Sequence, residues 1–316
     1  MADNDSETVR DCIMIGAGPS ALAAAIYTTR ENIDTVLYEK GVIGGLAAIT
    51  DQVDNYPGFA EGVAGMKLAE ELEAQAKRFG ADIQYGDVSE VIDEGDEKVV
   101  VVDGVRHRAR TVLIATGSDY NRIGVPGEEE FYGRGTHFCA TCDGAFYRDR
   151  RLAVVGGGNS AIQEAIFLTR FASHIDLLVR STVKASEVLQ EELQQYVDKG
   201  QVTVHLGTTI SEITGSDGKV NGVDIVTDGK PSHIEVDGVF IFVGLKPNTQ
   251  FLVGSGVELD EVGLVKTGTK LTTSIPGVFA SGDVRSGATM QIASAVGEGA
   301  SAALSIREYL DALKRK

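Results

Sequence analysis

The chain has 316 residues, 43% of them hydrophobic, enough for about two folded cores. Its formal net charge of −17 excludes nucleic acid and anionic membrane surfaces as partners, because both demand basic surface. No stretch approaches the ~20 apolar residues of a membrane span. The polar, acidic start MADNDSETVR has no signal-peptide core, so a cytoplasmic protein is expected.

The first informative stretch runs from residue 12 to 40 and reads as strand, glycine turn, helix, strand. Residues 12–15 form an apolar run of the kind buried on both faces. Gly16-x-Gly18 makes the turn, Pro19 and Ser20 open the helix, and Ala21 stands where a small residue lets helix and strand pack closely. The helix then presents its N-terminus to a pyrophosphate. The second strand ends at Glu39, twenty-one residues after Gly18, where an acid accepts hydrogen bonds from the hydroxyls of an unphosphorylated ribose.

A loop is expected over 44–59, a helix near 65–79, strands at 82–92 and 97–103, and a buried strand at 112–117. HFCATCDG follows at 137–144. Cys139 and Cys142 are close enough to form a disulfide, with Asp143 directly behind them. A Cys-x-x-Cys also serves as half of a zinc site, but the remaining cysteine, Cys12, lies far upstream. His137 and Asp143 would have to complete such a site within a very short turn, so redox chemistry is favoured and no metal is assigned. His137 is left out of the site, since a loop histidine more often serves structure, and Cys12 reads as an inert small hydrophobe.

Residues 152–181 repeat the first stretch: Gly156-x-Gly158-x-x-Ala161 matches Gly16-x-Gly18-x-x-Ala21, with Asn159 and Ser160 opening the second helix. Where the first copy ends in Glu39, the second ends in Arg180, with Lys184 shortly after. An acid repels a 2′-phosphate and an arginine clamps one, so the first copy suits FAD or NAD and the second NADPH. A helix near 187–199, strands within 202–226 and an apolar strand entering 238–249 follow. A strand in 277–287 delivers Gly282 and Asp283, and a helix rich in small residues fills 291–313. Cys142 precedes Gly156 by fourteen residues, so the disulfide rides on the second nucleotide domain. That domain must then swing about two hinges to present nicotinamide and disulfide to one flavin in turn. The acids are spread along the chain, as in EGDE, GEEEF and VELDE, and favour a halophilic protein adapted to a salt-rich cytoplasm.

The motifs IGAGPSA, VDNYPGF, IATGS, FCATCDG, VVGGGNSA and VFASGD occur in this order. In them the chain closely resembles the low-molecular-weight thioredoxin reductases, flavoproteins of the pyridine nucleotide–disulfide oxidoreductase class. The resemblance implies an α/β fold of two Rossmann-like domains, the nicotinamide domain (119–245) inserted into a discontinuous FAD domain (1–118 and 246–316). It implies that FAD is held by Gly16, Gly18, Pro19, Ser20, Ala21, Glu39, Lys40, Gly45 and Leu46. Asn55, Val88, Ala115, Thr116, Gly117, Gly282, Asp283, Met290, Gln291 and Ile292 complete that site. The pyridine nucleotide falls to Gly156, Gly158, Asn159, Ser160, Arg180 and Lys184.

The implied reaction passes hydride from NADPH to flavin N5, opens the disulfide through Cys142 with Asp143 as proton donor and acceptor, and delivers electrons through Cys139 to a thioredoxin-like protein. A homodimer is implied by resemblance alone. Leu46 stands where the family usually has Gln, and Met290 and Ile292 flank Gln291 where it has Arg and Ala. Asn159 replaces a usual Asp, and the basic signature for the NADPH phosphate is reduced to Arg180 and Lys184. NADH or ferredoxin as donor therefore stays open, and a redox-sensing flavoprotein without turnover is the reading of a different class.

Overall fold

A computed structural model describes residues 5–50 and 52–315. The chain forms two compact units, one of residues 1–119 with 246–316 and one of residues 120–245.

The first unit is built on a sheet whose parallel strands are Asp82–Tyr85, Thr35–Glu39, Asp5–Ile15 and Val105–Ile114, in that order. The last strand divides its length. Its first half continues into an antiparallel meander with Glu97–Val102 and Val88–Glu94, and its second half pairs in parallel with Val278–Ala280. Ile13 lies opposite both Val36 and Val112, and Val112 opposite Val278, so one apolar row crosses the parallel strands.

Successive side chains of a strand point to opposite faces, and the two faces bury different clusters. Cys12 and Met14, with Leu37, Leu113 and Phe279, pack on the helices Pro19–Arg30 and Ile292–Leu313 through Ala21, Ala25, Ala302 and Ile306. Ile13 and Ile15 face Val91, Val100, Val102 and the segment around Leu252 and Val265. The two helices cross backbone to backbone, since a Cβ on Gly299 would fall 2.0 Å from the Ser20 carbonyl oxygen. That crossing fixes the N-terminus of the first helix at the carboxyl edge of the sheet. Among the departures from the sequence reading, the stretch 82–92 divides into Asp82–Tyr85 and Val88–Glu94, at opposite ends of the strand order. The loop at 44–59 contains a short helix, Gly45–Ala48, and the first strand begins seven residues earlier, at Asp5.

The second unit has a five-stranded parallel sheet in the order Val202–Leu206, His174–Val179, Arg151–Val155, Gly238–Ile241, Thr136–His137. Leu152, Val154, Leu177 and Phe240 pack on the helices Asn159–Leu168 and Glu187–Asp198. Ala153, Leu178, Val239 and Ile241 pack on the other side against an antiparallel sheet of Thr208–Ser216, Lys219–Thr227 and Lys230–Ile234. The repeat seen in the sequence is a repeat in space. Gly16 N–H donates to the Tyr38 carbonyl at 2.8 Å, and Gly156 N–H donates to the Leu178 carbonyl at 3.1 Å.

Candidate functional site

Both glycine turns have the same physical design. Gly16 (φ +98°) and Gly156 (φ +141°) hold left-handed backbone, and neither has room for a side chain. A Cβ on Gly16 would lie 2.6 Å from the Ala115 carbonyl oxygen, and one on Gly156 would lie 2.4 Å from that of Phe242. Gly18 and Gly158 differ, because each faces open space with nothing within 4 Å of an added Cβ. Each also occupies the N-cap of its helix with no side-chain cap, leaving the first N–H groups of the helix for an outside acceptor. A pyrophosphate fits that geometry in both units.

In the first unit Gly45 comes within 3.7 Å of the Gly18 Cα, measured from an added Cβ, which places the short helix with Leu46 beside the turn. Gly282 lies against Ser20 in the same way, at 3.0 Å, and Ser20 and Ser281 hydroxyls share a buried hydrogen bond of 2.7 Å. Asn55 Nδ2 donates to Gln291 Oε1 at 3.0 Å, joining two candidates 236 residues apart at the start of the last helix. Met290, just before it, holds φ +57°, and Ile292 begins the helix.

A cleft opens beyond the turn, lined by Gly16, Glu39, Lys40, Val88 and Thr116 among the expected residues. Tyr38, Asp87, Asn248 and Phe251 also line it and were not foreseen. Asn248 had one signal, its place in KPNT at the end of an apolar strand. Its amide donates to the Thr116 carbonyl at 3.2 Å, and Thr116 Oγ1 donates to the Asn248 carbonyl at 2.7 Å. This pairing fixes the 115–117 turn, where Ala115 N–H donates to Ile15 and Gly117 holds φ +66° beside open space.

Glu39 does more than its spacing implied. Oε2 accepts from Ala17 N–H at 2.8 Å and Oε1 from Gly41 N–H at 2.7 Å, so the carboxylate braces the glycine turn while facing the cleft. Asp283 is the opposite case. Its carboxyl makes no hydrogen bond among the described residues, and burial, then the Glu298 carboxylate, push it up to about 6. A mostly buried, unsatisfied acid is the kind of group a bound hydroxyl or phosphate-linked ligand completes. The open space over Gly18 and Gly117, the cleft and the unpartnered Asp283 together fit FAD.

In the second unit the loop after His174–Val179 folds back over the glycine turn. Lys184 N–H donates to the Gly157 carbonyl at 2.6 Å, and Ser186 N–H donates to Asn159 Oδ1 at 2.8 Å. Asn159 therefore holds the loop that carries Arg180 and Lys184, both exposed. The register corrects one comparison. Because Gly156 bonds to Leu178 as Gly16 bonds to Tyr38, the counterpart of Glu39 is Val179, and Arg180 corresponds to Lys40. Val179 is 2% exposed, with Cγ1 2.7 Å from a Cβ added on Gly157. The two copies differ by the loss of an acid rather than by a reversal of charge.

The redox turn lies in the same unit. Cys139 and Cys142 are disulfide-bonded with Cα atoms 5.3 Å apart, and Cys139 caps the one-turn helix Ala140–Asp143 by accepting from Cys142 N–H at 3.2 Å. Asp143 Oδ2 lies 3.2 Å from Nδ1 of His137. His137 is a strand residue, 5% exposed, and not the loop histidine its sequence context implied. Cys12 is the free thiol among the described residues, and burial pushes it up to about 12, consistent with an inert core side chain. Among the described residues no cluster of His, Cys, Asp and Glu could hold a metal ion, and no helix is long and apolar enough to cross a membrane.

The pyridine nucleotide-disulphide oxidoreductase family profile matches residues 10–299. The chain belongs to this family. A thioredoxin reductase of Bacillus subtilis is 41% identical over 311 residues, covering 98% of this chain and 97% of the relative. One of Mycolicibacterium smegmatis is 42% identical over 310 residues, covering 96% and 98%. The crystal structure of thioredoxin reductase from Streptococcus pyogenes superposes with a TM-score of 0.92 at 38% identity, covering 97% of this chain and all of that one. Within the family, the chain falls among the thioredoxin reductases.

Proposed function

We propose that this thioredoxin-disulfide reductase draws electrons from NADPH, passes them to the Cys139–Cys142 pair, and delivers them to a thioredoxin-like protein. The observation that carries the dithiol part is the bonded Cys139–Cys142 turn, with Asp143 next in the chain and its carboxylate 3.2 Å from His137. FAD, held by the residues around Gly18, Glu39, Gly117 and Asp283, would supply the electron pair that opens the disulfide. The chain's own residues then manage charge. Asp143 gives a proton to the Cys142 thiolate and takes it back when Cys142 attacks. Cys139 attacks the disulfide of the partner through a mixed disulfide.

NADPH is favoured over NADH by the second glycine turn. With Val179 where Glu39 stands in the first copy, no carboxylate at that position competes with a 2′-phosphate, and Arg180 and Lys184 lie exposed nearby. Two cations on a solvent-exposed loop discriminate weakly, and this supports ferredoxin or NADH as the second reading of the donor. A homodimer, a reducing cytoplasm and a salt-rich setting belong to the same proposal, the last supported by the net charge of −17. The test is a pair of variants. Cys139→Ser and Cys142→Ser should each abolish reduction of disulfide substrates while donor-driven bleaching of the flavin continues. Retained disulfide turnover in either variant would remove the pair from the reaction.

A further inference from the structure

The redox turn rests on a constellation that disulfide chemistry does not by itself require. The His137 ring stacks on Phe240 with centroids 5.1 Å apart and meets Tyr147 edge-on at 5.3 Å. Nδ1 faces Asp143 Oδ2 at 3.2 Å, and Nε2 faces the Tyr147 hydroxyl at 2.7 Å. Tyr147 packs edge-on against Phe240 at 5.6 Å. It is seated by Gly238, where a Cβ would fall 2.6 Å from its ring. The backbone of the edge strand fixes the other end, since His137 pairs with Phe240 across the sheet. Burial, then the carboxylates of Asp143 and Asp237, push the Tyr147 phenol up, so it keeps its proton across the physiological range.

Imidazole and phenol each donate and accept hydrogen bonds. With Asp143 ionised, Nδ1–H donates to the carboxylate and the Tyr147 hydroxyl donates to Nε2. With Asp143 protonated, its O–H donates to Nδ1 and Nε2–H donates to the Tyr147 oxygen. Nε2 and the Tyr147 hydroxyl are hydrogen-bonded as they stand, and Nδ1 and Asp143 Oδ2 are in contact at 3.2 Å, so the two arrangements differ chiefly in where hydrogens sit and in the imidazole tautomer. A carboxyl held by Lys or Arg would lose its charge pairing on protonation, and its new O–H would find no acceptor there, whereas Nδ1 of His137 can accept it.

We propose that His137 and Tyr147 are positioning residues for Asp143, forming a reversible hydrogen-bond chain that keeps its carboxyl in place behind Cys142 in both protonation states. The proposal rests on the reading of Asp143 as the proton donor and acceptor of the dithiol. The step concerned is the proton transfer that accompanies thiol–disulfide exchange; in that exchange the Cys139–Cys142 bond forms as the bond from Cys139 to the partner's sulfur breaks, and the partner leaves as a thiolate. When Cys142 attacks, its S–H bond breaks and an O–H bond forms on Asp143; when the disulfide has opened, the O–H bond breaks and the S–H bond forms.

The experiment uses the full-length holoenzyme, reduced with dithiothreitol, freed of it anaerobically, and mixed with 5,5′-dithiobis(2-nitrobenzoate) in a stopped-flow instrument. This assay needs no nicotinamide donor. Cys139 thiolate attacks the probe and releases the first thiolate anion. Cys142, losing its proton to Asp143, then attacks the mixed disulfide on Cys139, re-forms the Cys139–Cys142 bond and releases the second. The second phase reads Asp143, and the first serves as an internal control for damage to the turn.

Asp143→Asn should slow the second phase by about a hundredfold, within the range of a lost acid–base group. His137→Phe should slow it by about tenfold and Tyr147→Phe by about three- to tenfold, while His137→Gln, whose amide can both donate to and accept from Asp143, stays within about threefold of the unmodified enzyme. In the Asp143→Asn background neither His137→Phe nor Tyr147→Phe should slow it further. The proposal is overturned if those two changes multiply the Asp143→Asn defect, if they slow both phases equally, or if they leave the second phase untouched. Should His137→Phe fail to fold, Tyr147→Phe decides alone, since it removes one hydroxyl and keeps the ring packing. An Asp143→Asn variant with a normal second phase would instead overturn the role of Asp143 itself.

Discussion

Glu39 carries two duties that one substitution separates. Glu39→Gln keeps the size of the side chain but replaces one carboxylate oxygen with an amide nitrogen. In the structure both oxygens already accept backbone N–H groups, Ala17 at 2.8 Å and Gly41 at 2.7 Å. The amide must therefore aim a donor at a donor at one of the two. A hydrogen bond to a charged group contributes about 1.5–3 kcal/mol, so the variant should lose roughly 2–3 kcal/mol from the flavin-free chain. For a unit of this size that corresponds to a fall in Tm of about 4–10 °C. A carboxylate has about four lone-pair sites, and the two left over remain for ribose hydroxyls. The amide oxygen keeps one of these and the amide nitrogen loses the other, which should weaken FAD by about ten- to a hundredfold. Differential scanning fluorimetry of the flavin-free variant, with and without added FAD, measures both quantities on one sample. A lowered Tm with unchanged FAD affinity would make Glu39 a brace of the turn and nothing more. Unchanged values of both would refute the hydrogen-bond argument altogether.

Three further outcomes follow from the same geometry. Gly16→Ala should abolish flavin retention through its clash with the Ala115 carbonyl, whereas Gly156→Ala should keep the flavin and lose reduction by NADPH; flavin absorbance before and after NADPH distinguishes them. Asp283 is held up to about 6 against an ordinary 3.8, so its protonated form is favoured in the folded, flavin-free chain. A raised carboxyl contributes stability that is present below about pH 4 and lost as pH rises through about 6. Asp283→Asn should remove that decline from the urea midpoint between these values, and an unchanged pH dependence would contradict it. Arg180→Ala should raise the NADPH KM by about ten- to a hundredfold at low salt and leave the NADH KM alone, with the gap closing as salt is added.

Much of this was legible in the sequence because it is local. The apolar run at 12–15, the two glycine turns and the Cys-x-x-Cys turn each declare themselves within a few residues. Asn55 and Gln291 were found only through resemblance, since nothing local says that residues 236 apart share a hydrogen bond. His137 was set aside because its two-residue strand is defined by pairing with Gly238–Ile241, about a hundred residues later. A strand that short has no periodicity to read. The comparison of Glu39 with Arg180 missed by one position because the end of a strand was judged from its charges. The hydrogen bonds of Gly16 and Gly156 give the true register and make the buried Val179 the counterpart of Glu39 in the second copy. The antiparallel sheet spanning 208–234 was read only as further strands, as its hairpins carry turn signals but no mark of the face they cover.

On the proposed function, electrons from a reduced nicotinamide reach Cys139 and Cys142. The most direct measurement is an anaerobic addition of NADPH to the yellow, oxidised protein, followed by rapid alkylation under denaturing conditions and peptide mass spectrometry. NADPH should create two new alkylation sites, Cys139 and Cys142, while Cys12 is labelled equally with and without NADPH. A flavin that bleaches while Cys139 and Cys142 stay joined would contradict the account, as would a flavin that NADPH never bleaches.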